Sequence, residues 1–117
     1  SAMSYLLFDK KKIKLVAKIT IGRESDNSVV IDNKLASRHH ALIQKIREDY
    51  FLKDENSTNG TYLNDVKIPA GKYVKLKTGD KITIGSANLV FSWKIKEITK
   101  FFQNMKEKLY IELSKVN

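Results

Sequence analysis

Residues 54–61 read Asp54-Glu55-Asn56-Ser57-Thr58-Asn59-Gly60-Thr61, a polar stretch between two short runs of strand-forming residues. Tyr50 to Lys53 precede the stretch, and Tyr62-Leu63 follow it. The Asn59-Gly60 pair is a strong signal for a tight turn, because both residue types tolerate a positive φ angle. The stretch therefore predicts a loop between two strands, and loops carried by a rigid sheet are frequent binding sites.

The same alternation of short strand-like runs and turn residues extends over residues 3–93. Hairpin turns are predicted at Glu48-Asp49 and Asn64-Asp65. Further turn residues, Thr78-Gly79-Asp80 and Gly85-Ser86-Ala87, separate the later runs. Many short strands at close spacing, with no helical stretch between them, predict an all-β fold, an antiparallel β-sandwich of about eleven strands.

Residues 94–117 have a different pattern, in which apolar residues recur every three or four positions. They are Ile95, Ile98, Phe102, Met105, Leu109, Leu113 and Val116. This spacing, uninterrupted by Gly or Pro, predicts a C-terminal amphipathic α-helix. The chain is thus divided into a sandwich domain of residues 3–93 and a helix of residues 94–117. Three roles fit the helix: packing on its own sandwich, linking to a further domain, or self-association.

The composition limits the classes of function. The chain of 117 residues has 22 Lys and Arg against 13 Asp and Glu, so its formal net charge is +9. A basic surface favours partners that carry phosphate or other negative charge. The absence of Cys excludes disulfides, Cys-ligated zinc and thiol catalysis. The two His, His39 and His40, are adjacent and would point to opposite faces of a strand, so no metal site is expected.

No apolar run in the sequence approaches the ~20 residues that a membrane-spanning helix requires. The run Tyr5-Leu6-Leu7-Phe8 is too short for the apolar core of a secretory signal, and its Lys residues follow it rather than precede it. We therefore expect an intracellular protein, cytoplasmic or nuclear, that has no contact with a membrane.

Two further polar stretches, Gly22 to Asn27 and Ala36 to His40, also lie between predicted strands. In a sandwich the loops gather at the two ends, so the three stretches can share one end. Together they would offer an Arg guanidinium, several hydroxyls, an Asn amide and backbone N–H groups. This set of donors suits a phosphate monoester dianion.

In order and spacing, the three stretches resemble the forkhead-associated (FHA) domain. That family has Gly-Arg, then Ser-Arg-x-His, then Asp-x-x-Ser-x-Asn-Gly-Thr with an Asn three residues on. Here the pattern reads Gly22-Arg23, Ser37-Arg38-His39-His40, Asp54 to Thr61 and Asn64. The resemblance covers Tyr5 to Trp93 and leaves the predicted helix outside.

The resemblance implies a non-catalytic β-sandwich that binds phosphothreonine peptides through loops at one end, without a cofactor. Carried over by position, the residues that would bind the phosphate are Arg23, Ser37, Arg38 and Thr58. Asn59 would hydrogen-bond the backbone of the ligand and fix its register. The partner would be a threonine-phosphorylated protein or peptide, and no small-molecule substrate is expected.

The remaining family positions concern ligand specificity and support of the loops. The ligand residue three positions after the phosphothreonine would be contacted by Leu35, Gly85, Ser86 and Ala87. Because Leu35 is apolar, it favours an apolar ligand residue at that position. The loops would be braced by Gly22, His40, Asp54, Ser57, Gly60 and Asn64. Asn56 stands where the family often has Gly, and Asn is one of the few residues that tolerate a left-handed conformation.

Two other functions stay open from the sequence. The first is a phosphate-independent assembly module that uses the helix of residues 94–117 for self-association. The second is a basic nucleic-acid-binding domain, although the Lys residues are scattered and no nucleic-acid motif is present. An enzyme is not expected, because the sequence has no Cys, no third His, no Gly-x-Ser-x-Gly elbow and no phosphate-binding Gly-x-x-x-x-Gly-Lys loop.

Overall fold

A computed structural model describes residues 2–116, except for the side chains of Ala2 and of residues 93–99. It confirms the predicted all-β sandwich followed by a C-terminal helix. The elements are β1 (Ala2–Phe8), β2 (Lys11–Lys14), β3 (Lys18–Gly22), β4 (Val29–Val30), β5 (Ala41–Ile46), β6 (Asp49–Asp54), β7 (Tyr62–Leu63), β8 (Val66–Lys67), β9 (Tyr73–Lys75), β10 (Lys81–Ile84), β11 (Ala87–Ile95) and α1 (Lys96–Ser114).

The strands form two sheets, one with the order β2-β1-β11-β10-β7-β8 and one with the order β4-β3-β5-β6-β9. Neighbouring strands in both sheets are antiparallel except for β3 and β4, where Ile21 pairs with Val29 in parallel. The sequence predicted only antiparallel pairing. The parallel pair arises because residues 23–28 carry the chain back along β3 before β4 begins.

The core lies between the two sheets and combines inward strand side chains with side chains from the connecting segments, namely Leu15, Ile31, Ala36, Ile68 and Leu76. In β10, Ile82 and Ile84 are fully buried while their neighbours are partly exposed. The rings of Tyr50 and Phe91 meet across the sandwich with centroids 5.8 Å apart. Each large apolar side chain that is fully buried contributes roughly 1.5–3 kcal/mol, so this core holds the loops at the sandwich ends in place.

The two predicted hairpin turns differ in outcome. Asn64 and Asp65 do form the turn between β7 and β8, with φ angles of 50° and 68°. The prediction of Glu48-Asp49 as the other turn was wrong by one residue. Asp49 pairs with Ile46 in the ladder of β5 and β6, which leaves Arg47 and Glu48 in the turn, and Arg47 adopts a φ of 59°.

The boundary between sandwich and helix lies two residues later than predicted. Strand β11 continues to Ile95, and α1 begins at Lys96. The side chains of Ile95 and Ile98, which belong to the predicted apolar stripe, lie outside the described residues. Because β11 starts at the turn after β10 and runs away from it, α1 leaves the sandwich at the other end of that strand.

The side chains of residues 100–116, which include all the described side chains of α1, are exposed. Seven large apolar side chains between 52 and 75% exposed lie within α1, namely Phe101, Phe102, Met105, Leu109, Tyr110, Ile111 and Leu113. Packing of α1 on its own sandwich, one of the three roles considered, is therefore not found for this part of the helix. Within the described chain, no helix has the length and hydropathy needed to cross a membrane.

Candidate functional site

Three loops meet at one end of the sandwich. They are the β3–β4 loop (residues 23–28), the β4–β5 loop (residues 31–40) and the β6–β7 loop (residues 55–61). Ser37 joins all three, because its carbonyl oxygen accepts a hydrogen bond from the Arg23 backbone N–H at 3.0 Å and its hydroxyl oxygen accepts one from the Thr58 backbone N–H, also at 3.0 Å. The predicted site residues are thus brought together around a single serine.

Gly22 and Asn27 hold the β3–β4 loop against the β4–β5 loop. A Cβ atom on Gly22 would lie 2.2 Å from the carbonyl oxygen of Arg38, so only glycine permits this approach. The side-chain amide of the buried Asn27 donates to the carbonyl oxygens of Glu24 and Arg38, each at 2.8 Å. Gly22 lies where a bracing residue was predicted, whereas the role of Asn27 was missed although it belongs to the same polar stretch.

The two arginines of the predicted phosphate site point to the loop surface. The Nε of Arg23 donates to the carbonyl oxygen of Ala36 at 3.0 Å, which orients the guanidinium and leaves its two terminal nitrogens at the surface. The Arg38 side chain is 74% exposed, and its Nε lies 3.7 Å from a carboxylate oxygen of Glu24. A phosphate placed between these guanidinium groups would meet donors from both sides.

Two carboxylates of the β3–β4 loop lie at the same surface, a feature that the sequence did not predict. Glu24 approaches Arg38, and both carboxylate oxygens of Asp26 lie 3.0 Å from Nε2 of His39. The Glu24–Arg38 pair is exposed, so solvent screens its attraction. The site therefore combines an exposed positive centre with an acidic rim.

His40 is fully buried beneath the loops and connects two of them. Its Nδ1 accepts a hydrogen bond from the backbone N–H of Ser37 at 2.9 Å. Its Nε2 lies 2.9 Å from the carbonyl oxygen of Gly60 and must donate, because a carbonyl can only accept. These two bonds require the neutral ring with its proton on Nε2, and they place His40 where a brace rather than a ligand contact was predicted.

Asp54 organises the β6–β7 loop from within. Its buried carboxylate accepts hydrogen bonds from the Ser57 backbone N–H at 3.0 Å, the Ser57 hydroxyl at 2.5 Å and the Thr61 hydroxyl at 2.7 Å. The Ser57 hydroxyl oxygen in turn accepts from the Gly60 N–H at 3.0 Å. This network surrounds the turn that carries Thr58 and Asn59. Three predicted braces, Asp54, Ser57 and Gly60, take part in it, and Thr61 is a fourth member that was not predicted.

The environment of Asp54 sets its pKa. Burial on its own would raise the pKa of this carboxyl group, since it disfavours the charged form. The hydrogen bonds from Ser57 and Thr61 outweigh burial and hold the pKa of Asp54 below its ordinary value of 3.8. The group is therefore a carboxylate at neutral pH, which suits its role as an acceptor of three donors.

The turn of the β6–β7 loop contains two residues in the left-handed region. Gly60 has a φ of 85°, and Asn56 has a φ of 59°. Asn56 is the position where the family often has Gly, and the structure shows that Asn adopts the required conformation there. Between these two residues the chain presents the backbone N–H of Thr58 to Ser37 and keeps Asn59 at the surface.

Asn59 links the phosphate loops to a neighbouring groove. Its side-chain amide donates to the carbonyl oxygen of Leu35 at 3.0 Å. One of the two N–H groups that were predicted to contact the ligand therefore bonds to the β4–β5 loop instead. The second N–H and the amide oxygen have no further partner among the described residues. A groove of about 390 Å³ adjoins it and is lined by Leu35, Asn59, Tyr62, Asp65, Thr83 and Gly85.

The four predicted specificity residues differ in position. Leu35 is 53% exposed in the groove, and Gly85 forms part of its wall. The Ser86 hydroxyl is hydrogen-bonded to the side-chain amide of Asn33, which ties the β10–β11 turn to the β4–β5 loop. Ala87 instead packs against the core and does not line the groove. Ala87 is the first residue of β11 rather than part of the turn, and its role in ligand selection stays a prediction.

Asn64 also lies apart from the phosphate loops. Its amide donates to the carboxylate of Asp80 at 2.9 Å, and its amide oxygen accepts from the Lys81 N–H at 2.9 Å. Asn64 therefore braces the β7–β8 turn against the start of β10, not the three loops themselves. Among the described residues, no group of three or more His, Cys, Asp or Glu side chains could hold a metal ion.

Comparison with known proteins identifies a family for this arrangement. The family model described as "FHA domain" matches residues 19–85, which is more than half of the 117-residue chain. The match begins in β3 and ends just after β10, so it contains the three loops.

Two curated relatives are similar over the same region. The chain is 40% identical over 74 residues to the ABC transporter ATP-binding/permease protein Rv1747 of Mycobacterium tuberculosis, covering 63% of this chain and 8% of that protein. It is 39% identical over 70 residues to the oxoglutarate dehydrogenase inhibitor of Corynebacterium jeikeium, covering 60% and 46%. The chain thus spans less than half the length of either relative.

Solved structures share the fold. Mycobacterium tuberculosis EmbR in complex with a low-affinity phosphopeptide has a TM-score of 0.73 and 33% identity, over 79% of this chain and 24% of that one. The MEK1 FHA domain in complex with a phosphothreonine peptide of HOP1 has a TM-score of 0.70 and 28% identity, over 76% and 94%. Two of the similar structures therefore contain a bound phosphopeptide.

Proposed function

This chain belongs to the FHA domain family, and we propose that it is a non-catalytic module that binds threonine-phosphorylated proteins or peptides through its three joined loops. The observation that carries the proposal is the position of Ser37 next to Arg38. Its carbonyl oxygen accepts the Arg23 N–H and its hydroxyl oxygen accepts the Thr58 N–H, so Ser37 connects the other two loops. The similar structures that hold phosphopeptides support the ligand class. No cofactor is required for binding of this kind.

The phosphate contacts are assigned to Arg23, Ser37, Arg38 and Thr58. Because the Ser37 hydroxyl oxygen accepts the Thr58 N–H, its own hydrogen is available for donation to a phosphate oxygen. The Nε of Arg23 donates to the Ala36 carbonyl, which orients the guanidinium group and leaves its terminal nitrogens to donate to the phosphate. Hydrogen bonds to a charged group contribute about 1.5–3 kcal/mol each, so two or three of them account for most of the selectivity for phosphate.

Asn59 and the groove beside it determine how the peptide lies. The free N–H and the amide oxygen of Asn59 are placed to pair with a peptide backbone, since its other N–H is held by Leu35. The groove then receives a side chain further along the ligand, three residues after the phosphothreonine. Leu35 and Tyr62 make part of its wall apolar, which favours an apolar side chain, and the Asp65 carboxylate in the same wall is paired with the Lys81 ammonium group at 2.9 Å.

The proposal is tested with a phosphothreonine peptide selected from an oriented library and with the same peptide lacking phosphate. Calorimetric titration should detect binding only of the phosphorylated form, and Arg23→Ala should weaken it by about ten- to a hundredfold. Arg47→Ala is the matched control, because Arg47 lies in the β5–β6 turn outside the three loops. Equal affinity for both peptide forms would contradict the proposal.

The exposed helix favours a second candidate function, assembly of copies through α1. Its large apolar side chains are 52 to 75% exposed, and an isolated helix of this length gains most of its stability from packing. Sedimentation of the chain with and without residues 96–117 tests this role. A monomer in both cases excludes self-association and leaves the helix as a link to a further domain.

A further inference from the structure

The hairpin of β1 and β2 carries a concentration of positive charge that the phosphate loops do not use. Its lysines, all exposed, are Lys10, Lys11, Lys12 and Lys14. The ammonium group of Lys12 lies over the Tyr5 ring, 4.6 Å from its centroid. Within the described part of the chain, none of the four lies in an ion pair with a carboxylate. This charge is therefore available to a partner.

β2 is also an open edge of the six-stranded sheet, with β1 as its one neighbour. The sandwich has four such edges, and β2 with four residues is longer than β4, β8 and β9, which have two, two and three. Unpaired backbone N–H and C=O groups on an edge strand can pair with another extended chain. β2 is thus the edge best able to accept one.

The register shows which backbone groups of β2 face the open edge. Leu15 donates its N–H to the Ser4 carbonyl at 2.9 Å, so Leu15 faces β1. Hydrogen-bonded and non-bonded pairs alternate along an antiparallel ladder, and Lys11 and Ile13 therefore face β1 as well. The N–H and C=O groups of Lys12 and Lys14 must then point outward, to the side where an additional strand would lie.

The two faces of this edge differ in chemistry. On the inner face a cavity of about 290 Å³ lies between β2 and β4, and its wall combines Phe8, Ile13, Val29 and Val30 with the polar residues Asp9, Lys11 and Ser28. On the outer face the side chains of Lys12 and Lys14 stand opposite Leu7 and Tyr5. Because successive side chains of a strand point to opposite faces, an added strand would place every second residue in this cavity, near Ile13 and Val30, and the others beside the lysines.

We propose that the β2 edge binds an extended peptide segment in which acidic residues alternate with apolar β-branched residues, as an additional strand of the sheet. The acidic side chains pair with Lys12 and Lys14, and the β-branched ones enter the cavity beside Ile13 and Val30. The segment belongs to another protein rather than to a second copy, since two β2 strands would oppose Lys to Lys. This binding needs no phosphate, and it goes beyond the function proposed for the loops.

The test uses the whole chain, labelled with ¹⁵N, and the unphosphorylated probe acetyl-Glu-Val-Glu-Val-Glu-Val-Glu-amide. Binding should slow amide hydrogen exchange at Lys12 and Lys14, with smaller effects at Lys11 and Ile13, whose amides already bond to β1. The double variant Lys12→Glu/Lys14→Glu should lose at least about tenfold in affinity, whereas Lys100→Glu/Lys106→Glu, of equal charge change in α1, should not.

Three results would overturn the proposal. The first is the absence of binding at low salt, which would mean that the lysines only protect the edge from pairing. The second is equal binding of a peptide with the same composition but all Glu residues first, or of a DNA duplex, because either would show non-directional attraction to charge. The third is loss of binding in Arg23→Ala, which would place the probe in the phosphate loops. Retention of binding in that variant separates this site from the proposed function.

Discussion

The hydroxyl oxygen of Ser37 lies 3.0 Å from the backbone nitrogen of Thr58, and this hydrogen bond joins the β4–β5 loop to the β6–β7 loop. The same serine receives the N–H of Arg23 on its carbonyl oxygen. One residue thus sets the spacing between the guanidinium group of one loop and the turn of another. The phosphate site depends on this junction rather than on any single loop.

Replacement of Ser37 by Ala should remove both a phosphate donor and the bond between the loops. We expect phosphopeptide affinity to fall by about ten- to a hundredfold, since a hydrogen bond to a charged group contributes about 1.5–3 kcal/mol. Calorimetric titration of the variant measures the loss. Ser114→Ala in α1 is the matched control. An equal affinity of both variants for the phosphopeptide would show that Ser37 does not contribute to binding.

Asp54 should make the stability of the chain depend on acid pH. Because hydrogen bonds hold its folded-state pKa below 3.8, the unfolded chain takes up a proton on this group before the folded chain does. The contribution of ionised Asp54 to the free energy of unfolding is fully present above about pH 3.8. It is lost as the pH falls through the folded-state pKa of Asp54.

Asp54→Asn should remove this contribution and leave buried donors poorly paired, at a cost of about 1–3 kcal/mol at neutral pH. The difference in unfolding free energy between wild type and variant should shrink below pH 3.8. Urea unfolding at several pH values measures it. A difference that is constant from neutral to acid pH would contradict a lowered pKa.

Glu24 should weaken phosphate binding, because its carboxylate competes for Arg38 at 3.7 Å. Exposed ion pairs contribute about 0–1 kcal/mol, so Glu24→Gln should raise phosphopeptide affinity by up to about fivefold. The gain should diminish at high salt, where exposed charges are screened. Glu48→Gln in the β5–β6 turn controls for the change in net charge, and an equal gain there would show that only the overall charge matters.

The groove should select the ligand residue three positions after the phosphothreonine. Peptides with Leu or Ile at that position should bind more tightly than those with Asp, because Leu35 and Tyr62 offer an apolar contact that a carboxylate cannot use. Leu35→Ala should reduce the preference by about three- to tenfold if one or two methylene-sized contacts are lost. Competition between the two peptides, measured by fluorescence anisotropy, reports it. If Leu35→Ala keeps the same preference for Leu or Ile over Asp, residues other than Leu35 select the ligand side chain.

The parts of the site that were predicted from sequence are those encoded by neighbouring residues. Asn59-Gly60 specifies its turn locally, and the residues near it in the chain, Asp54 and Ser57, act on the same loop. The groove was only partly foreseen, because Tyr62, Asp65 and Thr83 reach it from elements that are distant in sequence from Leu35. Their positions depend on how the sheets pair, which no local pattern specifies.

Similar reasons explain the other differences. The turn at Arg47 and Glu48 depends on the register of β5 against β6, and that register is set by which side chains enter the core. The helical spacing of residues 95–116 correctly predicted a helix. The spacing is the same whether a helix packs on its own domain or on a partner, so its exposure could not be predicted from sequence.

The central claim is that the three loops form one phosphate-dependent peptide site. Its most direct test is titration of the ¹⁵N-labelled chain with a degenerate phosphothreonine peptide library, monitored by amide chemical shifts, alongside the same library without phosphate. The account predicts that shifts concentrate at Arg23, Ser37, Arg38, Thr58 and Asn59, and that they require the phosphate. Shifts of equal size with the unphosphorylated library, or shifts centred outside the three loops, would contradict it.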